Sequence, residues 1–462
     1  MAKYFGTDGI RGLANADLSA ELAFKAGRAV SIMLRRDCRK PGKPVVLIGR
    51  DTRISGTMLE SALSAGIASA GCDVLLAGIV PTPAVAYLTK SAGADCGVVI
   101  SASHNPAQDN GIKFFNREGF KFSDYMEEQI ESLIDMEPEP GSLPTGGDVG
   151  EIKVMTEADL VYEEYVKSLY AGDFEGFSIA MDCANGATSK VALTIFSELG
   201  VKLLAVNSDP DGININQQCG STHPELLCKI VKAGSYNAGF AFDGDGDRFL
   251  AVDEEGQIVD GDELINIFAL DLHKKGLLKN NIVVATVMSN IGLELSLREK
   301  GITLERSGVG DKMVLEKMKE TGASLGGEQS GHIIFLDENT TGDGILSALH
   351  LLILLKETGE KLSSLKKLMK RYPQSLKNIP VKDKKAIIDN VELKRYLSEK
   401  GRETKDKYRI LVRPSGTESK IRVMVEGPDE SSTAALVEEI CKKIIETDAK
   451  LQGKMSTVLE NG

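Results

Sequence analysis

Nowhere in this chain does an apolar run reach the eighteen or so residues that a membrane-spanning helix needs. The opening MAKYFGTDGIRG lacks the apolar stretch of a secretory signal. Neither a membrane span nor a signal peptide is expected. Cysteine is sparse and scattered: Cys38, Cys72, Cys96, Cys183, Cys219, Cys228 and Cys441 lie far apart, with no CxxC pair. An odd, dispersed set argues against a zinc site and fits reduced thiols in the cytoplasm. Positive charge is in deficit, with a net charge of -12. Nucleic acid and anionic membranes are therefore not expected partners, and an anionic substrate must be held by local cations. No Walker A sequence occurs, so a nucleotide P-loop is not indicated.

What is present is enough apolar material for packed domains. Hydrophobic residues make up 42% of 462 residues, too long a chain for one ordinary core, and three or four domains are expected. One pattern occurs three times. A β-rich run (Val45–Gly49, Ser178–Met181, Ile282–Val287) ends in a polar or glycine-containing turn, and a helical stretch follows. A second strand comes next (DVLLAGIVPTP, VKLLAVNSDPDG, GITLERSGVGDK), then a third (CGVVISASHNP, AGFAFDGDGDR, ASLGGEQSGHI). A short fourth strand closes each copy (GIKFFNREG, RFLAVDEEG, HIIFLDENTTG). Strands alternating with helices predict mainly parallel α/β sheets; a single large sheet is the competing reading. Residues Asp135–Gly150 read as a linker, Thr156–Tyr170 as a helix opening the second repeat, and a further boundary falls near Glu254. After Arg371 the pattern changes to two strands, YRILVRPSG and KIRVMVEG, and a helix near Ser431–Glu446. The expected domains are 1–154, 155–254 and 255–371, all α/β, and a smaller α+β domain, 372–462.

In open α/β sheets ligands sit beyond the carboxyl ends of strands. The third-strand loops ISASHNP, DGDGDR and GGEQSGH are equivalent in position and different in chemistry. In DGDGDR, Asp243, Asp245 and Asp247 alternate with glycines, an oxygen-ligand set for a hard cation. An EF-hand loop competes, with Glu254 at its twelfth position, but Arg248 stands where the turn glycine belongs, and the flanks read as strands. A structural acidic turn is a third reading. Ser103, at the tip of a buried strand, is a candidate nucleophile or phosphate carrier; no G-x-S-x-G elbow supports a hydrolase. A plain turn residue is the competing reading of Ser103, and local hydrogen bonding that of His104. Glu328, Ser330 and His332 stand among glycines in a loop suited to a polyol, or in a simple glycine turn. In RPSGTES, Arg413, Ser415, Gly416 and Thr417 form a compact anion nest, with Arg422 on the following strand; a polar hairpin turn competes. GTDGIRG places Arg11 in a glycine-rich loop as a second candidate phosphate contact.

Taken together, GTDGIRG, SASHNP, DGDGDR, GEQSGH and RPSGTE resemble the α-D-phosphohexomutase family in identity and in order, over nearly the whole chain. Within it, the YFGTDGIRG start, ISASHNPAQDNGIKFF and GEQSGH are most similar to the branch acting on glucosamine phosphates. The resemblance implies four domains around a central cleft. It implies a phosphoryl group on Ser103 and one Mg²⁺ bound by Asp243, Asp245, Asp247 and a phosphoserine oxygen. Lys113 and His332 match proton-transfer positions; Arg11 and Arg248 match residues near the transferring phosphate. His104, beside the serine, is carried with the catalytic set. Glu328 and Ser330 match the sugar loop. Arg413, Ser415, Gly416 and Thr417 match the distal phosphate clamp, and Arg422 is added as a substrate contact. The implied reaction interconverts glucosamine 6-phosphate and glucosamine 1-phosphate, with a sugar bisphosphate as activator, on the way to UDP-N-acetylglucosamine. The implied partners are small-molecule hexosamine phosphates, with a homodimer left open.

Elementary electrostatics agrees. Three aspartates contribute about -3 and a phosphoserine about -2, more than one Mg²⁺ neutralises, so Arg11, Arg248 and Lys113 have a task. Phosphoryl transfer needs positioning and charge neutralisation above all. Glucose and mannose phosphates are the nearest alternative substrates. A magnesium phosphatase is an alternative enzyme class, and a calcium- or sugar-binding module the non-enzymatic one. The RPSGTES clamp favours a mutase, since it holds a second phosphate.

Overall fold

The structure, a computed structural model, describes residues 3–6, 8–37, 42–139, 141–404, 407–415 and 419–460, with 453–460 by backbone alone. Residues 1–289 and 297–368 form one compact unit, and it contains three separate sheets of one topology. In the first, Val45–Arg50 pairs in parallel with Asp73–Ile79 on one side and Cys96–Ile100 on the other. Asp109–Asn116 then returns antiparallel beside Cys96–Ile100. Ser178–Asp182, Lys202–Val206, Ala238–Phe242 and Phe249–Asp253 repeat this arrangement. So do Ile282–Thr286, Thr303–Ser307, Leu325–Gly327 and Ile333–Phe335. The threefold repeat expected from the sequence is therefore present, and the single-sheet reading is excluded.

The third strand of each repeat carries a chemical loop because it is buried on both faces. Every residue of Cys96–Ile100 and of Ala238–Phe242 is buried, which is why both read as unbroken apolar runs. In the first sheet Val46, Ile48, Val98 and Ile100 pack with Leu59, Leu63 and Ile67 of helix Ile54–Ser69 and with Ala23 and Val30 of helix Ala20–Asp37. Each valine, leucine or isoleucine among them contributes about 1.5–3 kcal/mol on burial. In the second sheet the rings of Phe240 and Phe249 meet edge-on, 5.2 Å apart. They pin the hairpin whose last paired residues, Phe242 and Phe249, bracket the DGDGDR loop. On the two buried third strands, Cys96–Ile100 and Ala238–Phe242, the charged and hydroxyl groups begin only where the strand ends.

Two edges differ from expectation. Gly9–Leu13, which carries Arg11, is a strand that pairs antiparallel with Phe5–Gly6 and with Asp109–Asn116, setting Arg11 opposite Gly111. Just after the linker region Ile152–Val154 adds a strand beside Asp73–Ile79.

Residues 290–296 and 369–462 form a second compact unit. Its sheet has Lys420–Glu426 at the centre, antiparallel to Arg409–Pro414 and to Gln374–Pro380. The first two strands match expectation. The third is not foreseeable, because five of its seven side chains are exposed or nearly so and show no apolar alternation. Helix Glu430–Glu460 runs beyond the expected Ser431–Glu446, and its Val437, Ile440 and Ile444 pack with Ile421, Val423 and Val425 of the central strand. Among the described residues no helix is long and apolar enough to cross a membrane.

Candidate active site

In the first compact unit the loops of all three repeats converge. Ser103 is 2% exposed and adopts φ +51°, a left-handed conformation uncommon for serine. Its amide donates to Ser101 Oγ at 2.9 Å, and Ser101 in turn donates to Asp51 at 2.6 Å. Ser103 Oγ donates to Asp243 Oδ2 of the second repeat at 2.6 Å. His104 Nδ1 lies 3.5 Å from the same Oγ. Burial first, then the charges of Arg248 and Arg11, push the His104 imidazole down to about 4.

Asp243, Asp245 and Asp247 are all buried, and each offers an oxygen within 4.8 Å of the others. Asp245 Oδ1 and Asp247 Oδ1 have no hydrogen-bond partner. Two orphaned carboxylate oxygens buried together fit a bound hard cation and are costly without one. Burial, reinforced by the facing Asp247 and Asp245 carboxylates, holds Asp243 well above the usual carboxylate range. At Asp245 burial acts in the same sense. There the Lys113 charge, hydrogen bonds from Thr82 and Lys113, and Arg11 outweigh it, and the pKa falls. The loop lies between two antiparallel strands, and Glu254 turns away to accept from Ser363 Oγ at 2.6 Å. An EF-hand is therefore excluded.

Cations surround the acids. Lys113 Nζ, 2% exposed, lies 3.1 Å from Asp245 Oδ2, 3.8 Å from Asp247 Oδ2 and 3.3 Å from Asp8 Oδ2. Burial opposes its charge, but those three carboxylates prevail and raise its pKa. Arg11 pairs with Asp8. Arg248 Nε stands 4.0 Å from Asp247 Oδ1. His332, 2% exposed, has Nε2 3.9 Å from Asp247 and 3.6 Å from Asp311, with both ring nitrogens unpartnered. Glu328 Oε1 accepts from the Gly310 amide at 3.1 Å, and Ser330 is exposed. Lys121, unforeseen from the sequence, bridges Asp8 and Asp311.

In the second unit Arg413 and Arg422 are directly opposed across antiparallel strands. Like charges in that position repel; burial and then Arg422 lower the Arg413 pKa, and Arg422 Nε is buried without a partner. Such a pair suits an anion. Ser415 is 1% exposed and its carbonyl accepts from Lys384 Nζ at 2.7 Å. Gly416 and Thr417 lie outside the described residues.

Four family models match in chain order. They are the phosphoglucomutase/phosphomannomutase α/β/α domains I (residues 2–140), II (162–256) and III (260–372) and the C-terminal domain (376–443). The chain belongs to the α-D-phosphohexomutase family. Among its relatives, the phosphoglucosamine mutases of Anoxybacillus flavithermus and Thermoanaerobacter sp. are each 51% identical over 446 residues, covering 96% of this chain and 99% of theirs. A phosphoglucomutase/phosphomannomutase family protein from Burkholderia thailandensis is a structural neighbour at TM-score 0.80 and 26% identity, covering 97% of this chain and 98% of its own. N-acetylphosphoglucosamine mutase from Aspergillus fumigatus, solved with GlcNAc-6P and magnesium, shares the fold at TM-score 0.68 and 16% identity, covering 97% and 96%.

Loops and adjoining strands of this phosphohexomutase thus bring together Ser103, His104, Lys113, Arg11, Arg248, His332 and the three aspartates. Sequence reasoning misses their supports: Asp51 and Arg53 in RDTRISG, Asn216 in the second repeat, and the Asp8–Lys121–Asp311 bridge. By sequence RDTRISG is only the turn after a strand; its charged residues beside an apolar run are the available signal.

Proposed function

We propose that this chain interconverts glucosamine 6-phosphate and glucosamine 1-phosphate, passing a phosphoryl group through Ser103. The observation that carries the reading is the Ser103 Oγ–Asp243 hydrogen bond of 2.6 Å. It sets a left-handed, buried hydroxyl against a cluster of three carboxylates. The phosphoryl group leaves Ser103 Oγ for the free hydroxyl of the sugar monophosphate, giving a bisphosphate. After the sugar turns over, its other phosphoryl group returns to Ser103. Asp243, Asp245 and Asp247 would hold Mg²⁺ together with a phosphoserine oxygen. When bound, that ion neutralises charge on the transferring group. Lys113, Arg11 and Arg248 offset the remaining negative charge. Lys113 and His332 exchange the proton of the accepting and leaving hydroxyls. Glu328 and Ser330 orient the sugar, and Arg413, Ser415, Gly416, Thr417 and Arg422 hold the phosphate that does not react. Relatives at 51% identity named phosphoglucosamine mutase support the amino sugar as substrate.

This reading describes a cytoplasmic enzyme with domains 1–154, 155–254, 255–371 and 372–462, activated by a sugar bisphosphate and supplying UDP-N-acetylglucosamine synthesis. Intact mass and phosphopeptide mapping should find the phosphate on Ser103, and Ser103→Ala should remove mutase activity while leaving the protein folded. Phosphate on another residue, with Ser103→Ala fully active, refutes it.

A further inference from the structure

The carbonyl groups of Ser103 and Asn105 receive the same two donors. Arg53 Nη2 donates to Ser103 O at 3.0 Å and to Asn105 O at 2.8 Å. Asn216 Nδ2, from the second repeat, donates to the same oxygens at 2.8 and 2.9 Å. Arg53 also reaches the carbonyls of Pro106 and Asp109, so one guanidinium gathers four carbonyls of the serine loop. Its side chain is fully buried, and its charge is met by Asp51 Oδ2 at 2.9 Å. That Asp51 oxygen also accepts from Ser101, which holds the Ser103 amide. Both sides of the Ser103 backbone are thus fixed from one buried ion pair. The left-handed φ of +51° is a sparsely populated state for serine and persists only where its surroundings over-determine it. Asn216 adds the link to the repeat that carries the aspartates, and its side chain approaches Gly244 between Asp243 and Asp245.

We propose that Arg53 and Asn216 are positioning residues for the phosphoryl carrier: by sharing the Ser103 and Asn105 carbonyls they fix the turn that aims Ser103 Oγ at the three aspartates. The inference rests on the reading of Ser103 as that carrier. Both side chains are buried and bonded to backbone carbonyls of the serine loop, so loss of either lowers the rate of transfer without weakening substrate binding.

The test uses full-length enzyme phosphorylated with glucosamine 1,6-bisphosphate and mixed with glucosamine 6-phosphate in a single turnover. Asn216→Leu keeps the side-chain bulk and removes both donated hydrogen bonds; Arg53→Lys keeps the charge facing Asp51 and loses the fork. Each should slow phosphoryl transfer about 10- to 100-fold, the loss typical of a misplacement near 1 Å. KM should stay unchanged, while the thermal midpoint of Asn216→Leu should fall, since Asn216 sits at φ +58°, a left-handed state that leucine adopts only at a cost; the rate per phosphorylated site therefore decides. A merely structural role would lower that midpoint and leave the rate per phosphorylated site intact. Should Arg53→Lys fail to fold, Asn216→Leu decides alone. Wild-type transfer from Ser103 in Asn216→Leu overturns the inference and spares the function. Absence of phosphate from Ser103 in the wild type overturns both.

Discussion

Gly244 lies against the serine loop, and Gly244→Ala perturbs that approach with a single methyl. A Cβ there would lie 2.7 Å from Ser103 O, 2.7 Å from Asn216 Nδ2 and 2.8 Å from Ile215 Cδ1. The φ of Gly244 is not positive, so alanine meets no backbone strain and the clash is purely steric. Relief requires a shift of roughly 0.5 Å, since overpacking forces neighbouring groups apart at about 1–3 kcal/mol. Ser103 O is restrained by Arg53 and Asn216, so the aspartate loop is the part that gives way. Asp243 and Asp245 flank the new methyl and retreat from Ser103. With roughly 100-fold lost for 1 Å of misplacement, half that distance corresponds to about tenfold in kcat. The Mg²⁺ concentration for half-maximal activity should rise in parallel, because the carboxylates move as a set. The assay is conversion of glucosamine 6-phosphate to glucosamine 1-phosphate across a Mg²⁺ titration. Gly147→Ala is the control, since nothing lies within 4 Å of a Cβ there. Unchanged kcat and Mg²⁺ dependence in Gly244→Ala would show that the close approach does not set the geometry of transfer.

Chelator-treated enzyme should be inactive and recover with Mg²⁺. Asp245→Asn should raise the Mg²⁺ requirement by more than the roughly 10- to 100-fold that follows loss of an outer-shell partner, and full activity after metal removal would refute the metal assignment. Arg413→Ala should lower kcat/KM by the same factor in both directions, as a fixed equilibrium demands. Loss of a charge-assisted hydrogen bond, about 1.5–3 kcal/mol, corresponds to roughly 10- to 150-fold; no loss would place the second phosphate elsewhere. Glucosamine phosphate should be preferred over glucose phosphate. Glu328 commits one carboxylate oxygen to the Gly310 amide, and in the proposed reading the other would accept from the C2 ammonium. One charge-assisted hydrogen bond against a neutral one, about 1–2 kcal/mol, gives roughly five- to thirtyfold in kcat/KM, and better turnover of glucose or mannose phosphate would refute the specificity.

The groups that meet at the candidate site are largely legible in the amino-acid sequence, and there is a physical reason. Ser103, Asp243 and Glu328 each stand where a buried strand ends, so the change from apolar run to polar, glycine-containing loop marks them. With the third strands aligned as a repeat, their loops have to occupy equivalent places. The fourth strands follow from the same alternation. Gln374–Pro380 does not, because its place in the sheet comes from backbone pairing with Lys420–Glu426 and leaves no periodic trace in its side chains.

The supports stay hidden for a related reason. Arg53 bonds to Asp51 and otherwise to backbone carbonyls, and a carbonyl acceptor leaves no signature in residue type. An arginine in a polar turn is ordinarily solvated; only the fold shows that this one is fully buried, and that four carbonyls await it fifty or more residues downstream. The Lys121 bridge is similar: its partners Asp8 and Asp311 are 113 and 190 residues away and come from separate repeats. Residues that meet the substrate are constrained by chemistry and carry recognisable types. Residues that hold those in place are constrained by geometry, and in this chain the geometry is set where two repeats touch. A substitution at Asn216 should therefore move Ser103 relative to Asp243 as effectively as one inside either motif, although nothing in its neighbouring sequence marks it as part of the site.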